Sequence, residues 1–318
     1  MLTFSTDELR PQDRFDHWCE VRGKSLFGVT IELERERRAD FHGRFSAVPV
    51  GNAVMAELSA SSYRVSRTNA DIARVSGDSL CIGLQVKGPG HLDTGRERIH
   101  GIREGDFIIN HSDLPYIATP QRSDGFHYRT LKIPLTGDIA LGGRAYDLAP
   151  EALAHSAGFN RLIAAMFTAM SGSLEEIADP AKDIEHIARL SLIARGRLSS
   201  GLPESRAAMR VGVLHAARAI LVRDLERPGL TPATVAAELA ISLRQLHLVF
   251  EPSGLSFART LAAIRLKQAR RLLETMPARP VADIAYACGF DSIATFYRIF
   301  RSAYGMTPSD IRASSFDT

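Results

Sequence analysis

No apolar run in this sequence approaches the roughly 18 residues that a membrane-spanning helix requires. The opening stretch, MLTFSTDELRPQDRFDHW, is polar and acidic. It lacks the basic start and apolar core of a secretory signal, so a cytoplasmic location is the expectation. Cysteine is scarce: Cys19, Cys81 and Cys288 stand far apart, at no metal-ligand spacing, and read as free buried thiols. No P-loop, no GxSxG and no dinucleotide-binding glycine pattern occurs. The glycines of GPGHLDTG (88–95) suit a hairpin turn instead. Catalysis therefore has no support here: an enzyme is not expected, and no cofactor is implied.

At 318 residues the chain is long enough for two domains, and its 45% apolar and 24% charged residues are those of an ordinary globular protein. The net charge of +3 hides an asymmetry. Residues 207–318 carry 14 Lys and Arg against 9 Asp and Glu, and the rest of the chain carries 25 against 27. The basic excess lies wholly in the last third, as suits an end that binds nucleic acid, although plain solubility asks for no less.

Residues 14–22, RFDHWCEVR, predict a short helix with Phe15, Trp18 and Cys19 on one side. From about Gly28 to Pro134 short β-rich runs such as FSAVPV, LCIGLQV, DFIIN and YRTLKIPL alternate with turn signals at Gly43, Gly77-Asp78, Gly88-Pro89-Gly90, Gly105-Asp106 and Ser123-Asp124-Gly125. Strands at this spacing, with no helices between them, predict an antiparallel barrel or sandwich able to enclose a small ligand. From about Pro150 the period turns helical. Ala181–Leu198 places Ile184, Ile187, Leu190, Ala194 and Leu198 on one face, to pack on the barrel or on a second copy of the chain. SSGLPES (199–205) reads as a linker. The expected organisation is a β-rich sensing domain at 1–148, a helical dimerisation segment at 149–198, a linker at 199–206 and a DNA-binding domain at 207–318.

The last third repeats itself at an offset of 49 to 50 residues. VAAELAISLRQLHLVF (235–250) aligns with IAYACGFDSIATFYRIF (284–300), so that Val235 matches Ile284, Ala236 matches Ala285, Leu239 matches Cys288, Leu246 matches Phe296 and Phe250 matches Phe300. The second copy has one more residue in its turn. A small residue early in a first helix, a tight turn and a second helix with apolar positions three and four apart describe a helix-turn-helix. Thr231-Pro232 and Thr307-Pro308 are helix starts, and Gly289 sits where a left-handed residue would end a helix. Ser256 can cap a connecting helix running to about Thr275, some 30 Å long. That suits two recognition helices in successive major grooves about 34 Å apart.

These residues resemble the DNA-binding domain of the AraC/XylS family. The closest correspondence is AxxCGFxSxxxFxRxFRxxYGxTPxxxR, running from Ala285 to Arg312, and the likeness spans about 105 residues. More loosely, residues 10–195 resemble the sensing or dimerising barrel of such regulators. The resemblance implies an α+β, multidomain fold. It has an N-terminal antiparallel, cupin-like β-barrel, a helical dimerisation segment, and an all-α domain with two helix-turn-helix units. It also implies a transcription regulator, more often an activator, that meets double-stranded DNA, RNA polymerase, a small-molecule effector and a second copy of itself.

By the same analogy the second helix of each unit enters the major groove. In the first unit Ser242, Arg244, Gln245 and His247 would face DNA, with Leu243, Leu246, Val249 and Phe250 turned to the core. In the second, Ile293, Ala294, Thr295 and Arg298 would, with Ser292 capping or touching phosphate and Arg301 on phosphate. Arg298 is the leading base reader, since arginine makes bidentate bonds to guanine; each of the others suits phosphate or solvent as well as a base edge. Leu248 stands where the family pattern has a polar residue. Arg265, Lys267, Arg270 and Arg271 read as a solvated charge run.

For the barrel, Arg and His residues with Tyr63, Tyr116 and Tyr128 are candidates to line an effector pocket. His91, His100, His111 and His127 raise a cupin-type metal site, but no His-x-His pair occurs and they stand far apart. Two other readings remain open: a ligand-independent regulator whose barrel only assembles the protein, and a cupin-like enzyme fused to a DNA-binding module.

Overall fold

The computed structural model describes residues 2–95, 99–135, 139–153, 158–172 and 179–314. It divides into two compact units, Met1–Gly212 and Val213–Thr318.

The strands of the first unit are β1 (Leu2–Ser5), β2 (Thr30–Glu32), β3 (Gly43–Val50), β4 (Ala53–Ala60), β5 (Arg64–Arg67), β6 (Ser79–Lys87), β7 (Gly90–Asp93), β8 (Ile99–Ile102), β9 (Phe107–His111), β10 (Tyr116–Pro120), β11 (Phe126–Pro134) and β12 (Glu151–Ala152). They form two antiparallel sheets, ordered β1-β3-β4-β11-β6-β9-β12 and β2-β5-β10-β7-β8. The larger sheet is covered on both faces, and its two-residue period sorts the side chains. Leu80 and Ile82 of β6, Ile109 of β9, and Leu131 and Ile133 of β11 point one way, into an apolar core. Cys81 and Gln85, Asn110, and Thr130 and Lys132 point the other way, into a cavity shared with the smaller sheet.

That apolar core is closed by two helices, α3 (Gly158–Ser171) and α4 (Pro180–Ala194). Ile163, Met166, Phe167 and Met170 from one, and Ile184, Ile187 and Leu190 from the other, are buried against the sheet. Of the two packing partners open to these stripes, the barrel takes them. The helical period begins later than the expected Pro150: Glu151 and Ala152 pair with Ile109 and Ile108 as β12, and 154–157 lie outside the described residues.

Helix α1 (Pro11–Trp18) passes directly into a nine-residue π-helix, Cys19–Phe27, that ends at Gly28 with φ 60°. Phe15 and Trp18 are buried in a second core with Phe41, Phe45 and Tyr63. Gly43, expected to mark a turn, opens β3 instead: a Cβ there would lie 2.5 Å from the Trp18 ring, so glycine makes room for the indole. A short helix, α2 (Asn69–Arg74), follows β5 and is capped reciprocally by Thr68 and Asp71.

Only residues 199–202 of the expected linker precede helix, because α5 begins at Pro203 and runs to Arg223. The division between the units falls within it, after Gly212. The second unit continues with α6 (Pro232–Glu238), α7 (Leu243–Phe250), α8 (Phe257–Thr275), α9 (Val281–Ala287), α10 (Ile293–Tyr304) and α11 (Pro308–Ser314). Its apolar residues fall into two clusters, and α8 serves both. Phe257 and Leu261 join the core of α6 and α7, whereas Leu266, Ala269 and Leu273 join that of α9, α10 and α11.

Candidate nucleic-acid interface

Each helix-turn-helix is built from the repeat by equivalent bonds. In the first, Thr231 caps α6, and the chain bends by 103° between α6 and α7, within the range of such units. The Ile241 N–H donates to the Ala236 carbonyl at 3.0 Å, and in the second unit the Phe290 N–H donates to the Ala285 carbonyl at 3.2 Å. Both close a helix end around one residue at positive φ, Ala240 (56°) and Gly289 (79°). The repeated small residues Ala236 and Ala285, the core pairs Val235 and Ile284, and the second-helix pairs Leu246/Phe250 and Phe296/Phe300 are all buried. Ser242 and Ser292 then cap α7 and α10.

Exposure follows from this register. On α7, Arg244, Gln245 and His247 are exposed, as are Ala294, Thr295, Arg298 and Arg301 on α10. Ser242 and Ser292 are exposed N-caps whose hydroxyls accept from the Gln245 and Thr295 N–H groups. Gln245 has a local task as well: its Oε1 accepts from the Ser242 N–H at 2.9 Å, completing a capping box. Ile293 is half-buried against the second core, which leaves only part of its side chain open. Leu243 departs from expectation. It is 47% exposed, because the first residue of α7 lies beyond the edge of a core that begins at Leu246. With Leu248 at 44%, it makes the open face of α7 partly apolar.

The basic residues of α8 are not a uniform solvated face. Arg265 donates from Nε to the Leu225 carbonyl (2.8 Å) and from Nη2 to the Arg227 carbonyl (2.7 Å), tying α8 to the chain beyond α5. A Cβ on Gly289 would come within 2.4 Å of that Leu225 oxygen, so the turn of the second unit packs on the same clamp. Arg270 pairs with Glu274 and lies 5.1 Å from the centre of the Tyr304 ring. Only the residue spacing was legible beforehand; that these groups have partners depends on which segments meet.

In the first unit, a cavity of about 190 Å³ lies between the sheets. Tyr63, Tyr116 and Tyr128 all line it, together with Arg22, Arg67 and His91. Burial raises the three phenols above their ordinary range, against the pull of the Arg22 charge. Burial also pushes the Cys81 thiol up to about 11, so it stays protonated at neutral pH. His100, His111 and His127 are not among the lining residues. His111 faces Asp78 at 3.0 Å and His127 faces Glu57 at 2.5 Å, and among the described residues no group of three metal-binding side chains converges.

A fold of this kind, with a duplicated helix-turn-helix C-terminal in sequence to a barrel with a ligand-sized cavity, defines a class of DNA-binding transcription regulators. Comparisons with known proteins place it further. The AraC-binding-like domain model matches residues 18–194 and a helix-turn-helix domain model matches residues 235–314. The chain belongs to the AraC family of transcription regulators. It is similar to the transcriptional activator NphR of Rhodococcus sp, 25% identical over 97% of this chain and 91% of that protein. It is also similar to the transcriptional activator RhaS of Escherichia coli, 42% identical over 79 residues that make up 24% of this chain and 28% of that one. The crystal structure of the AraC-like transcriptional activator CuxR has 20% identity and a TM-score of 0.49, covering 90% of this chain and 100% of that one.

Proposed function

We propose that α7 and α10 enter successive major grooves on one face of the DNA and that Arg298 is the principal base reader. The observation that carries this is the single uninterrupted helix, α8, joining the two helix-turn-helix units. Its 19 residues span about 28 Å at 1.5 Å per residue, close to one turn of the double helix. Arg244 and Arg298 project from the open faces of the two second helices, and Arg301 follows one turn after Arg298. Ser242, Gln245 and Ser292, engaged in capping, act chiefly by holding the helix starts against phosphate. His247, Ala294, Thr295 and the open part of Ile293 make the remaining contacts, the last three as apolar contacts to thymine methyls.

In this reading the first unit holds a small-molecule effector in its cavity and controls how the DNA-binding unit acts. The outcome is activation through contact with RNA polymerase, in the cytoplasm, with two chains acting as a homodimer. The similarity to an activator along nearly the whole chain supports the direction of control.

The test is a binding titration on DNA fragments around the gene, at two salt concentrations, with the intact protein and with Arg298→Ala. The intact protein should prefer one fragment. Arg298→Ala should lose about 1–3 kcal/mol of that preference, roughly 5- to 150-fold, while still binding all fragments at low salt. An unchanged preference removes Arg298 as the reader. No binding by the folded protein at low salt, where attraction to phosphate is strongest, overturns the DNA-binding reading itself.

A further inference from the structure

The walls of the cavity are charged in one sense. Arg22, Arg67 and Lys132 line it, and among the described residues no Asp or Glu does. The two arginines differ in what they do. Arg67 is committed to the fold: Nε donates to the Ser112 carbonyl, Nη1 to those of Phe27 and Gly28, and Nη2 to the Val75 carbonyl and the Asp113 carboxylate. Arg22 has no such set. It is 7% exposed, and its Nε and Nη1 are buried without a hydrogen-bond partner among the described residues. Its guanidinium lies 4.8 Å from the centre of the Phe27 ring and 5.8 Å from that of Tyr63. Ring faces offset only part of the cost of leaving a buried charge unpaired.

An arginine kept inside under those terms lacks an anion. A planar guanidinium matches a carboxylate by two parallel bonds, better than it matches any neutral group. The π-helix that carries Arg22 points the same way, since such turns gather at functional sites. The size and walls of the cavity add the second half of the ligand. A dry space of about 150 Å³ accepts benzene, and this one is somewhat larger and walled by the rings of Tyr63, Tyr116, Tyr128, Phe27 and Phe126. Gly83 is part of the construction: a Cβ there would lie 1.6 Å from the Tyr128 hydroxyl, so only glycine lets that ring lie across β6.

We propose that the cavity binds a small aromatic monocarboxylate, with its carboxylate on Arg22 and its ring among Tyr63, Tyr116 and Tyr128. This rests on the reading of the first unit as an effector-binding domain.

The experiment is isothermal titration of the full chain with benzoate, phenylacetate and 3-phenylpropionate, each beside its neutral primary amide. Glucose, phenol and benzylamine complete the panel. At least one carboxylate should bind tenfold or more tightly than its amide. Arg22→Met should abolish that difference while keeping the weak binding of the amide, which shows the cavity intact. Arg22→Lys, which keeps the charge but not the fork, should retain a part of it. The comparison of acid with amide in the unmutated chain does not depend on either variant folding. Equal binding of acid and amide, or a preference that survives Arg22→Met, overturns the proposal. Binding of glucose, phenol or benzylamine while every carboxylate fails overturns it too, and leaves the effector reading in place. Binding of none of these compounds overturns both.

Discussion

In the first helix-turn-helix unit the left-handed residue of the turn is Ala240; in the second it is Gly289, at the equivalent place in the repeat. The cores differ in the same measured way. The second is aromatic, with Phe290, Phe296, Phe300 and Tyr304 stacked at successive centroid distances of 5.0, 5.3 and 4.8 Å. The first pairs Phe250 with Phe257 at 5.8 Å among aliphatic side chains. The open faces differ again: leucines flank Arg244 on α7, whereas α10 presents small residues and then two arginines. One backbone pattern thus tolerates two solutions for packing and two surfaces for DNA. A duplicated unit needs its turn and buried register kept, and little else.

The largest effect that would sharpen this contrast is in the cores. Phe296→Ala, at a site with no exposure and ring contacts to three neighbours, should cost about 3–5 kcal/mol, and Leu246→Ala about 2–4, in urea unfolding of the full chain. Equal costs would mean that the aromatic stack adds nothing beyond burial. Next is the turn. Gly289→Ala meets both a positive φ, worth about 1–2 kcal/mol, and the Leu225 carbonyl at 2.4 Å, worth about 1–3 more. A loss below 1 kcal/mol would show that the clamp made by Arg265 yields easily. Smaller still, Gln245→Ala should lower stability by about 0.5–1 kcal/mol through the lost capping box and shift sequence preference by less than threefold. A tenfold loss of preference would instead make Gln245 a base reader that leaves its cap on DNA. Smallest is Ala240→Gly, which relieves the strained φ at some cost in chain entropy and should stabilise the protein by roughly 0.5 kcal/mol. A loss of stability there would mean that the Ala240 methyl packs usefully despite its backbone.

How far the sequence could be read depended on the range of the interaction concerned. Helix starts were plain at Thr231, Ser256 and Thr307, which act on backbone groups three residues away, whereas Ser242, read as a DNA contact, proved to cap α7. The β-rich runs were legible for a similar reason, as β6, β9 and β11 alternate side chains between two buried faces. Gly43 was misjudged because its neighbour, Trp18, comes from a distant part of the chain. Leu243 was placed in the core by its spacing alone, which says nothing of where the core ends. A sign of Arg22 was present: it continues the stripe Phe15, Trp18, Cys19 at the next helical interval, where an apolar residue would be ordinary. Its meaning needed the cavity.

By itself, then, the sequence determined the order of elements, the duplicated DNA-binding unit and the position of the buried register, because those rest on local bonds and on periodicity. Only the tertiary structure decided which cations have partners. Arg265 finds carbonyls 38 and 40 residues away, Arg67 finds carbonyls and a carboxylate 8 to 46 residues away, and the Arg22 Nε and Nη1 find no acceptor among the described residues. The free energy of a charge depends on everything packed around it, and that surrounding is assembled from parts of the chain that no spacing connects.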